Sequence, residues 1–457
     1  MALTPQIFQL QEDTLYDHFC EKNDIIEIQP TNGQNNLGLG SPIRFNFTCD
    51  RFCLLSSPRS GIRIRVGFLT RENNVNNMNA NITLGNNWAA YLFDSAKLSI
   101  GNSTIETVSQ LGTAVDIFHN LKGDEFRKNY GEMCGFIPDE NSGLADQIEF
   151  SSNITQAQLG GNAAFHPTIV KNNSFNNGFK RRMELYNYTV ANNDTVRYAE
   201  AFLSLSSIFG FCESVEKLLK FVNIDIEMIR SQNNDLISFG AANTSISFGD
   251  PATTGIINLK LEIETIRPNS ELISSLNSQL KSPIKCSFLH RSCDNKPQTN
   301  NIVAEFNETK FNSPRYIFIV SHTPTRNLFR HLNMDRIKIS IGDELYPNLD
   351  FNGRFLENSF TKYYQEYVNA VKYLDSSPAI TMKDFRDLYS VFCVDCSNQV
   401  EKIKSQNRSL GISIQRRAIP VNDDIVQNPI QANYYILTLN QKTYVIDCIA
   451  NTVKEEY

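Results

Sequence analysis

Residues Ala96–Gly101 have the sequence AKLSIG, and residues Ile337–Gly342 have the sequence IKISIG. Apolar and polar side chains alternate in both stretches, which is typical of a strand with one buried face. The glycine that ends each stretch favours a turn. In both places a segment with helical spacing of apolar residues comes next. A single match of this length arises by chance, so its value depends on a second pair in the same order.

A second pair of similar stretches does follow in the same order. In the first half of the chain, Phe209–Cys212 precedes the Val-Glu-Lys of Val215–Lys217. In the second half, Phe392–Cys396 precedes the Val-Glu-Lys of Val400–Lys402. Each copy is predicted to run from strand to short helical turn to strand. Two ordered matches indicate a tandem duplication of one β-sandwich.

Alternation elsewhere predicts that the chain is all-β. Ile62–Val66, Leu259–Glu264 and Arg336–Ile341 each place apolar residues on one face and charged residues on the other. Half-buried strands of antiparallel sheets have this pattern. The further predicted strands are Val222–Ile229, Ile412–Gln415, Tyr434–Leu439 and Thr443–Ile446, the last two forming either a hairpin around Asn440–Lys442 or one kinked strand.

Helical patterns are few. Val108–Asn120 and Phe360–Leu374 have apolar residues at helical spacing. So does Ser270–Leu280, which lies between the two copies as a linker and has Ser270 as its expected N-cap. Two Asn-rich polar stretches are predicted to be long loops: Glu72–Asn87 and Asn141–Asn177. Many strands with few helices favour a sandwich or barrel.

Composition narrows the class of protein. The chain has 457 residues, of which 41% are hydrophobic and 20% charged, enough for two or more cores. Its 43 basic and 49 acidic residues give a net charge of -6, so a global basic field for binding nucleic acid is absent. Met1–Cys20 has no signal-peptide pattern, and no apolar run is long enough for a membrane span. We therefore expect synthesis in the cytosol or nucleus, with most of the ten cysteines as buried thiols.

Two groups of cysteines have spacings that could suit a metal or redox site. Cys286, His290 and Cys293 supply three soft ligands where zinc takes four, so two buried thiols and a loop histidine are expected. Cys393 and Cys396 have redox spacing without the matching βαβ pattern, and on a strand their sulfurs would point to opposite faces. We interpret these four cysteines as structural.

Two further cysteines lie close together in the sequence. On an extended strand the Cα atoms of Cys49 and Cys53 would be about 13 Å apart, too far for a disulfide.

No catalytic or cofactor-binding residue is predicted. Ser321 and His322 follow a strongly apolar strand, but nothing marks an acid partner or an oxyanion turn. Gly38–Gly40 does not continue as a dinucleotide or phosphate-binding motif and is expected to form a turn. The site prediction is therefore no catalytic, cofactor or metal residue.

Four stretches connect these patterns to a known family. They are Ala96–Val108, Leu259–Asn269, Asp335–Pro347 with Tyr363–Val368 after it, and Phe385–Tyr389. In these stretches the chain resembles the double jelly-roll major capsid proteins of eukaryotic DNA viruses, above all the hexon-like capsid proteins of Polinton/Maverick elements and their adintovirus relatives. The resemblance covers both halves and is strongest from Arg315 to Tyr444. The chain is short for this family, which implies reduced surface towers.

The resemblance implies a fold and its division along the chain. The fold is all-β, with two tandem eight-stranded jelly-roll β-sandwiches and a few short helices. The expected segments are an N-terminal arm at 1–20, a first jelly roll at 21–268 with long Asn-rich loops, a linker helix at 269–283 and a second jelly roll at 284–457.

It also implies a role. The chain would be a structural major capsid protein, not an enzyme, and would need no cofactor. Three chains would form a six-lobed, pseudo-hexameric capsomer through a heterologous interface, and capsomers would tile an icosahedral shell. Partners would be further copies, minor capsid or penton proteins and, weakly, packaged DNA, with no membrane span. The protein would reside in the virion after synthesis in the host cytoplasm.

Two surface features have alternative interpretations. The basic clusters Lys180–Arg182 and Arg416–Arg417 are expected on a solvated face, and contact with packaged DNA or an internal protein is the alternative. The tyrosines of Tyr363–Tyr367 are expected to pack a helix onto the sandwich, with a contact between subunits as the alternative.

Other functions are alternatives to the capsid role. A carbohydrate- or receptor-binding β-sandwich would use exposed aromatic platforms, but the only tryptophan is Trp88 and no secretion signal is found. A hydrolase on a β-sandwich would need clustered histidines and carboxylates. A capsid gene resident in an animal genome, or a minor shell component, would keep the fold and change the use.

Overall fold

The structure, a computed structural model, describes most of the chain. The described residues are 20–31, 39–77, 80–140, 176–187, 196–232, 236–240, 243–248, 255–297, 303–311, 314–322, 328–342, 344–346, 352–373, 377–397, 408–417 and 433–456. Most of the predicted loop Asn141–Asn177 lies outside them, as do Gly38 and Val400–Lys402.

Strands dominate the described part of the chain. In chain order they are β1 (Cys20–Ile28), β2 (Pro42–Thr48), β3 (Phe52–Leu54), β4 (Gly61–Glu72), β5 (Val75–Asn76), β6 (Ile82–Leu84), β7 (Phe93–Ile100), β8 (Ser103–Ser109), β9 (Arg197–Ser204), β10 (Asn223–Arg230), β11 (Ser238–Gly240), β12 (Thr244–Ser247), β13 (Gly255–Pro268), β14 (Ile284–Pro297), β15 (Val303–Phe311), β16 (Pro314–His322), β17 (Met334–Ile341), β18 (Glu344–Tyr346), β19 (Phe392–Asp395), β20 (Arg408–Arg416), β21 (Asn433–Asp447) and β22 (Thr452–Glu456).

Helices are fewer and mostly short. They are α1 (Trp88–Tyr91), α2 (Leu111–Leu121), α3 (Asp124–Phe126), α4 (Asn177–Tyr186), α5 (Leu205–Ile208), α6 (Gly210–Ser214), α7 (Ser270–Gln279), α8 (Thr361–Tyr373) and α9 (Met382–Asp387), with a π-helical turn at Arg127–Gly131 and 3-10 turns at Glu132–Cys134 and Phe355–Glu357. The predicted helices correspond to α2, α7 and α8.

The sheets repeat in the two halves. In the first half, β1-β13-β4 continues to β9 in one sheet, and β2-β10-β7-β8 forms the other. In the second half, β14-β21-β16-β19 and β15-β20-β17-β18 have the same orders, and every pairing among these strands is antiparallel. Eight strands therefore correspond one to one, and the fold is a double jelly roll, as predicted. We refer to the halves as the first and second roll.

The repeated sequence that predicted the duplication lies on corresponding strands. Lys97–Ile100 is on β7 and Lys338–Ile341 is on β17, each third in its four-stranded sheet. Gly101 and Gly342, which follow, have φ values of 55° and 61°. This left-handed conformation suits glycine, and it turns the chain into β8 and β18.

The core is built from the inward faces of these strands. Along β10 the burial of side chains alternates regularly, and Ile224, Ile226 and Met228 are fully buried. Leu261 on β13 and Ile339 on β17 are also fully buried, as their alternation predicts. Most buried apolar residues of the two rolls form one continuous cluster, so the rolls share a core.

The structure decides three local predictions. Of the two alternatives for Asn440–Lys442, the single strand is confirmed and the hairpin is not, because β21 runs through these residues as one strand paired with β14 along its length. Asn269, not Ser270, caps α7: its side chain accepts a hydrogen bond from the Leu272 N–H at 2.8 Å. The predicted loop Glu72–Asn87 contains the short strands β5 and β6.

The second pair of repeated stretches is not structurally equivalent. Phe209–Cys212 leads into α6, whereas Phe392–Cys396 includes β19. The strand that corresponds to β19 is β9, earlier in the first roll. The duplication therefore rests on the strand orders and on the first repeated pair.

Candidate functional site

A buried carboxylate connects the two rolls. Glu106 on β8 is fully buried. It accepts hydrogen bonds from the backbone N–H groups of Gly210, Phe211 and Arg291 at 3.1, 3.0 and 2.7 Å. Arg291 belongs to β14 of the second roll and the other two donors to α6 of the first. A Cβ at Gly210 would lie 1.8 Å from the Leu289 carbonyl oxygen, so this close approach requires glycine.

The Arg291 side chain joins the rolls in the opposite direction. It is 1% exposed. Its guanidinium donates to the carbonyl oxygens of Ser207 and Ser206 at 2.6 and 3.0 Å, and to Glu213 Oε2 at 2.6 Å. The guanidinium carbon also lies 3.7 Å from the centroid of the Phe118 ring. A buried cation needs this many partners, because it has lost its hydration.

The environment of Glu106 affects its protonation. Burial raises the pKa of its carboxyl to about 7, while the charge of Arg291 and the backbone donors act to lower it. Loss of hydration disfavours the charged form, and positive charge and N–H donors favour it. Near neutral pH the connection between the rolls therefore includes a group that titrates.

A second buried ion pair lies at the same boundary. Arg182 on α4 donates through Nη2 to Asp139 Oδ1 at 2.8 Å, and both side chains are almost completely buried. The Arg182 Nη1 also donates to the Ile137 carbonyl. The Asp139 N–H donates to the hydroxyl of Tyr389, in the second roll, at 2.6 Å. The segment around Asp139 is thereby fixed to the second roll.

A third polar group surrounds α2. Asp116 is fully buried and accepts hydrogen bonds from Asn87 Nδ2 at 2.6 Å and the Tyr91 hydroxyl at 3.1 Å. Burial raises the pKa of Asp116 to about 7. The Tyr367 hydroxyl of the second roll donates to the Asn120 carbonyl at 3.3 Å. The helix therefore packs between the rolls.

Three residues in and next to α2 are arranged like the Ser–His–polar triad of a hydrolase. His119 Nε2 lies 3.0 Å from Ser207 Oγ, and Nδ1 lies 2.8 Å from Asn87 Oδ1. Ser, His and a polar third residue form such relays in acyl-transfer enzymes. All three residues are fully buried, however, so a substrate has no access to the hydroxyl. Burial lowers the pKa of His119 well below its usual value, and we assign the group a structural role.

Sequence reasoning missed these junction residues. Every residue of α2 is buried, including Asp116, His119 and Asn120. The available signal was that α2 contains polar residues but has no fully polar face, which predicts that some of them are buried. Buried polar groups need hydrogen-bond partners. The partners themselves are far away in the sequence, so no local motif identifies them.

The predicted thiol groups lie mostly in the core. Cys286 and Cys293 are buried on β14, and burial raises the pKa of Cys286 to about 11. His290 is half-buried on the same strand, so its prediction as a loop residue is wrong. Cys393 and Cys396 are buried at β19, in agreement with a structural role. Among the described residues, no group of three or more His, Cys, Asp and Glu side chains is placed to hold a metal ion.

Cys49 and Cys53 do not lie on one extended strand, the geometry for which their separation was predicted. The chain turns between β2 and β3, and both backbones pair with one segment: Cys49 N–H donates to Val222 O at 2.9 Å and Cys53 N–H to Leu219 O at 2.8 Å. The interaction with the Cys53 thiol, together with burial, raises the pKa of Cys49. Both are free and buried.

The basic clusters are only partly solvated. Arg182 is buried, as described above, whereas Lys180 and Arg181 are exposed, with Arg181 paired to Glu132. Arg416 is buried, and Arg417 Nε donates to Asp335 Oδ1 at 3.1 Å. The prediction of a solvated face is therefore wrong for Arg182 and Arg416.

The remaining candidates also pack inside. Tyr363 and Tyr367 are 2% and 0% exposed, which confirms that they pack α8 onto the roll. Ser321 is buried and donates to the Arg330 carbonyl at 2.6 Å. Gly40 is in a turn with φ 74°. Trp88 is fully buried and cannot serve as an exposed aromatic platform.

Comparisons with known proteins agree with this architecture. The sequence model of the double jelly roll-like domain family matches residues 144–426. No curated protein sequence matches the chain. In the described part of the chain, no helix is both long and apolar enough to cross a membrane.

Solved structures of viral proteins have a similar fold. The VP54 protein of PBCV-1, fitted into a reconstruction of the virophage Sputnik, is 12% identical with a TM-score of 0.55, covering 97% of this chain and 98% of that one. The Sputnik virophage structure is 10% identical with a TM-score of 0.56, covering 100% and 92%. The mavirus major capsid protein is 10% identical with a TM-score of 0.53, covering 100% and 95%. At these identities the similarity is one of fold.

Proposed function

This chain belongs to the double jelly roll-like domain family, and we propose that it is a major capsid protein, a structural subunit of an icosahedral virion shell. The observation that carries the proposal is the joining of two corresponding eight-stranded rolls by one continuous core and by the buried contacts of Glu106 and Arg291. Such a unit suits a shell, because a force on one roll is passed to the other. The capsid role in the name of the similar mavirus major capsid protein supports the same use here.

We further propose that the chain assembles as a homotrimer, which presents six rolls as a pseudo-hexameric capsomer. Its partners would be neighbouring capsomers, minor capsid or penton proteins and, through weak and salt-sensitive contacts, packaged DNA. The protein would be made in the host cytoplasm and reside in the virion. We propose the segment bounds 1–20, 21–268, 269–283 and 284–457 for the arm, first roll, linker and second roll.

The proposed role requires no enzyme activity. The one Ser–His arrangement found among the described residues, Ser207 with His119, is closed to solvent. A shell protein needs shape and stable contacts between copies, and these depend on surface area and packing rather than on a reactive group.

The test is the state of the purified protein. Light scattering coupled to gel filtration at micromolar concentration should give the mass of a trimer, and negative-stain images should show six-lobed particles. A strictly monomeric protein that also forms no shells would contradict the proposal and favour a carbohydrate- or receptor-binding sandwich.

A further inference from the structure

A cavity lies at one end of the first roll, beside α7. Its volume is about 530 Å³, within the range of about 300–1,000 Å³ that is usual for small-molecule sites. Its walls come from β1, the turn after β2, the end of β13 and the first turn of α7. All of these elements belong to one chain, so the cavity does not depend on the proposed trimer.

The charged residues of the cavity are mainly basic. Four side chains are basic and two are acidic: Lys22, Arg51, Lys220 and Arg267 against Asp24 and Asp50. The cavity therefore has an excess of two positive charges, on a chain whose net charge is -6. Asp24 neutralises part of this charge, since its carboxylate lies 2.6 Å from Lys22 Nζ and 3.9 Å from Arg51 Nη1. An anion that binds here competes with Asp24.

Lys220 is held in position by uncharged partners. Its Nζ lies 4.5 Å from the centroid of the Phe52 ring and 4.6 Å from that of Phe221, and it donates to Asn277 Oδ1 at 3.4 Å. Aromatic faces and an amide oxygen orient an ammonium group without cancelling its charge. These contacts leave the charge of Lys220 available to an anion in the cavity.

The backbone at Phe221 is strained. Its φ is 66°, a left-handed conformation that a bulky residue rarely adopts, and its side chain is 48% exposed. Strain of this kind persists where the surrounding structure enforces it, and it is common at binding sites. Here the Phe221 N–H donates to the Cys49 carbonyl at 2.6 Å, and the Cys49 N–H donates to the Val222 carbonyl at 2.9 Å. The strained conformation places an exposed ring beside Lys220 Nζ.

We propose that this cavity binds a small molecule that carries a polyphosphate group. A single carboxylate would gain little against Asp24 and Asp50, whereas a polyphosphate concentrates several negative charges in a small volume. Lysine and arginine both bind phosphate, lysine as a point charge and arginine through paired N–H donors.

The remaining wall of the cavity suits an organic group attached to the phosphates. Phe52, Ile266, Pro268 and Ile273 supply apolar side chains to the same cavity. Apolar surface is stabilised when an organic group covers it. A nucleoside triphosphate has both parts, a polyphosphate and a base with apolar faces. Its binding would connect α7 to the end of the first roll, because both contribute to the wall.

Isothermal titration calorimetry tests the cavity with two probes, ATP and tripolyphosphate, each without divalent cations. We expect one bound probe per chain, with an affinity that falls as the salt concentration rises. Lys220→Met keeps an apolar stem against Phe52 and removes the charge, so it should weaken binding by about tenfold. Lys285→Met is the matched control, because Lys285 is 62% exposed on β14, outside the cavity, and the affinity should not change. Circular dichroism verifies that both variants are folded.

Asp24→Asn should change the affinity in the opposite direction. It removes the competing carboxylate, so both probes should bind about twofold to fivefold more tightly, an effect that damage to the fold would not produce. Tighter binding of ATP than of tripolyphosphate would identify a nucleotide as the ligand, and equal binding would assign the site to the polyphosphate group alone. No binding of either probe at millimolar concentration, equal weakening by Lys285→Met, or weaker binding by Asp24→Asn would overturn the proposal.

Discussion

Arg291 is a buried arginine whose partners come from another roll. Its guanidinium donates to the carbonyl oxygens of Ser206 and Ser207 and to the Glu213 carboxylate. Its backbone N–H donates to the Glu106 carboxylate. The Arg291 side chain and Glu106 are buried away from water, so they keep their hydrogen bonds only when the rolls are correctly placed. The contacts of Arg291 and Glu106 therefore specify one arrangement of the rolls. A displaced arrangement would leave these charges buried without partners.

Replacing Arg291 should lower the free energy of unfolding. Arg291→Met keeps much of the side-chain volume but leaves Glu106 and Glu213 without the cation. We expect the free energy of unfolding to fall by about 3–5 kcal/mol, as measured by chemical denaturation. Arg44→Met is the control, because Arg44 pairs with Glu227 while 57% exposed, and an exposed pair contributes about 0–1 kcal/mol. Equal losses in the two variants would contradict the role of Arg291.

A buried histidine should make the second roll sensitive to acid. His331 is 3% exposed, and its Nδ1 accepts a hydrogen bond from the Asn333 N–H at 2.9 Å. Burial lowers its pKa from 6.5 to about 4. A group with a lowered folded pKa contributes stability above its unfolded pKa and loses it as the pH falls towards its folded pKa. The contribution of His331 should therefore decline between pH 6.5 and pH 4.

The comparison with His331→Gln isolates this effect. Glu106 has its pKa raised from 4.5 to about 7, so its contribution is lost as the pH rises through 7 and opposes that of His331 over part of the range. Both proteins retain Glu106, and its effect cancels in the difference. We expect the stability advantage of the native protein over His331→Gln to shrink from pH 7 to pH 4.5 in denaturant titrations. A constant difference would show that the histidine does not titrate in this range.

At the scale of elements, the strands were predictable and their contacts were not. Alternation identifies β4, β13 and β17, because one face of each strand packs inward and the other carries charge. The junction depends on partners that are distant in the sequence: Glu106 and Arg291 are 185 positions apart. The turn after β2 was also missed, since it depends on the backbone pairing of Cys49 and Cys53 with residues 219–222.

The face assignment of β13 can be tested directly. Leu261 is fully buried, so Leu261→Asp places a carboxylate without a partner in the core at a cost of several kcal/mol. We expect loss of soluble folded protein. The neighbouring Lys260 points outward and pairs with Glu27 at 2.6 Å, so Lys260→Asp should cost about 1 kcal/mol or less. Soluble yield and the thermal midpoint are measured for both variants. A larger loss of stability in Lys260→Asp than in Leu261→Asp would show that the inward and outward faces of β13 are assigned the wrong way round.

At the scale of the whole molecule, the shared core makes the two rolls one unit. Apolar residues from both rolls belong to one continuous cluster. α2 of the first roll lies against β14 and α8 of the second. Unfolding one roll would expose these surfaces on the other. Independent unfolding is therefore unfavourable, although each roll has a complete set of eight strands.

The single tryptophan provides a test of this coupling. Trp88 is fully buried in the first roll, so its fluorescence reports on that roll alone. Ile339→Ala removes buried atoms from the second roll, at a cost of about 2–5 kcal/mol. If the rolls unfold together, the thermal midpoint seen by Trp88 fluorescence should fall as far as the midpoint seen by circular dichroism. Val303→Ala is the control, because Val303 is 46% exposed on β15 of the same roll, and it should leave both midpoints nearly unchanged. An unchanged Trp88 midpoint in Ile339→Ala, with a second and lower transition in circular dichroism, would show that the rolls unfold separately and that the buried contacts between them only orient two independent domains.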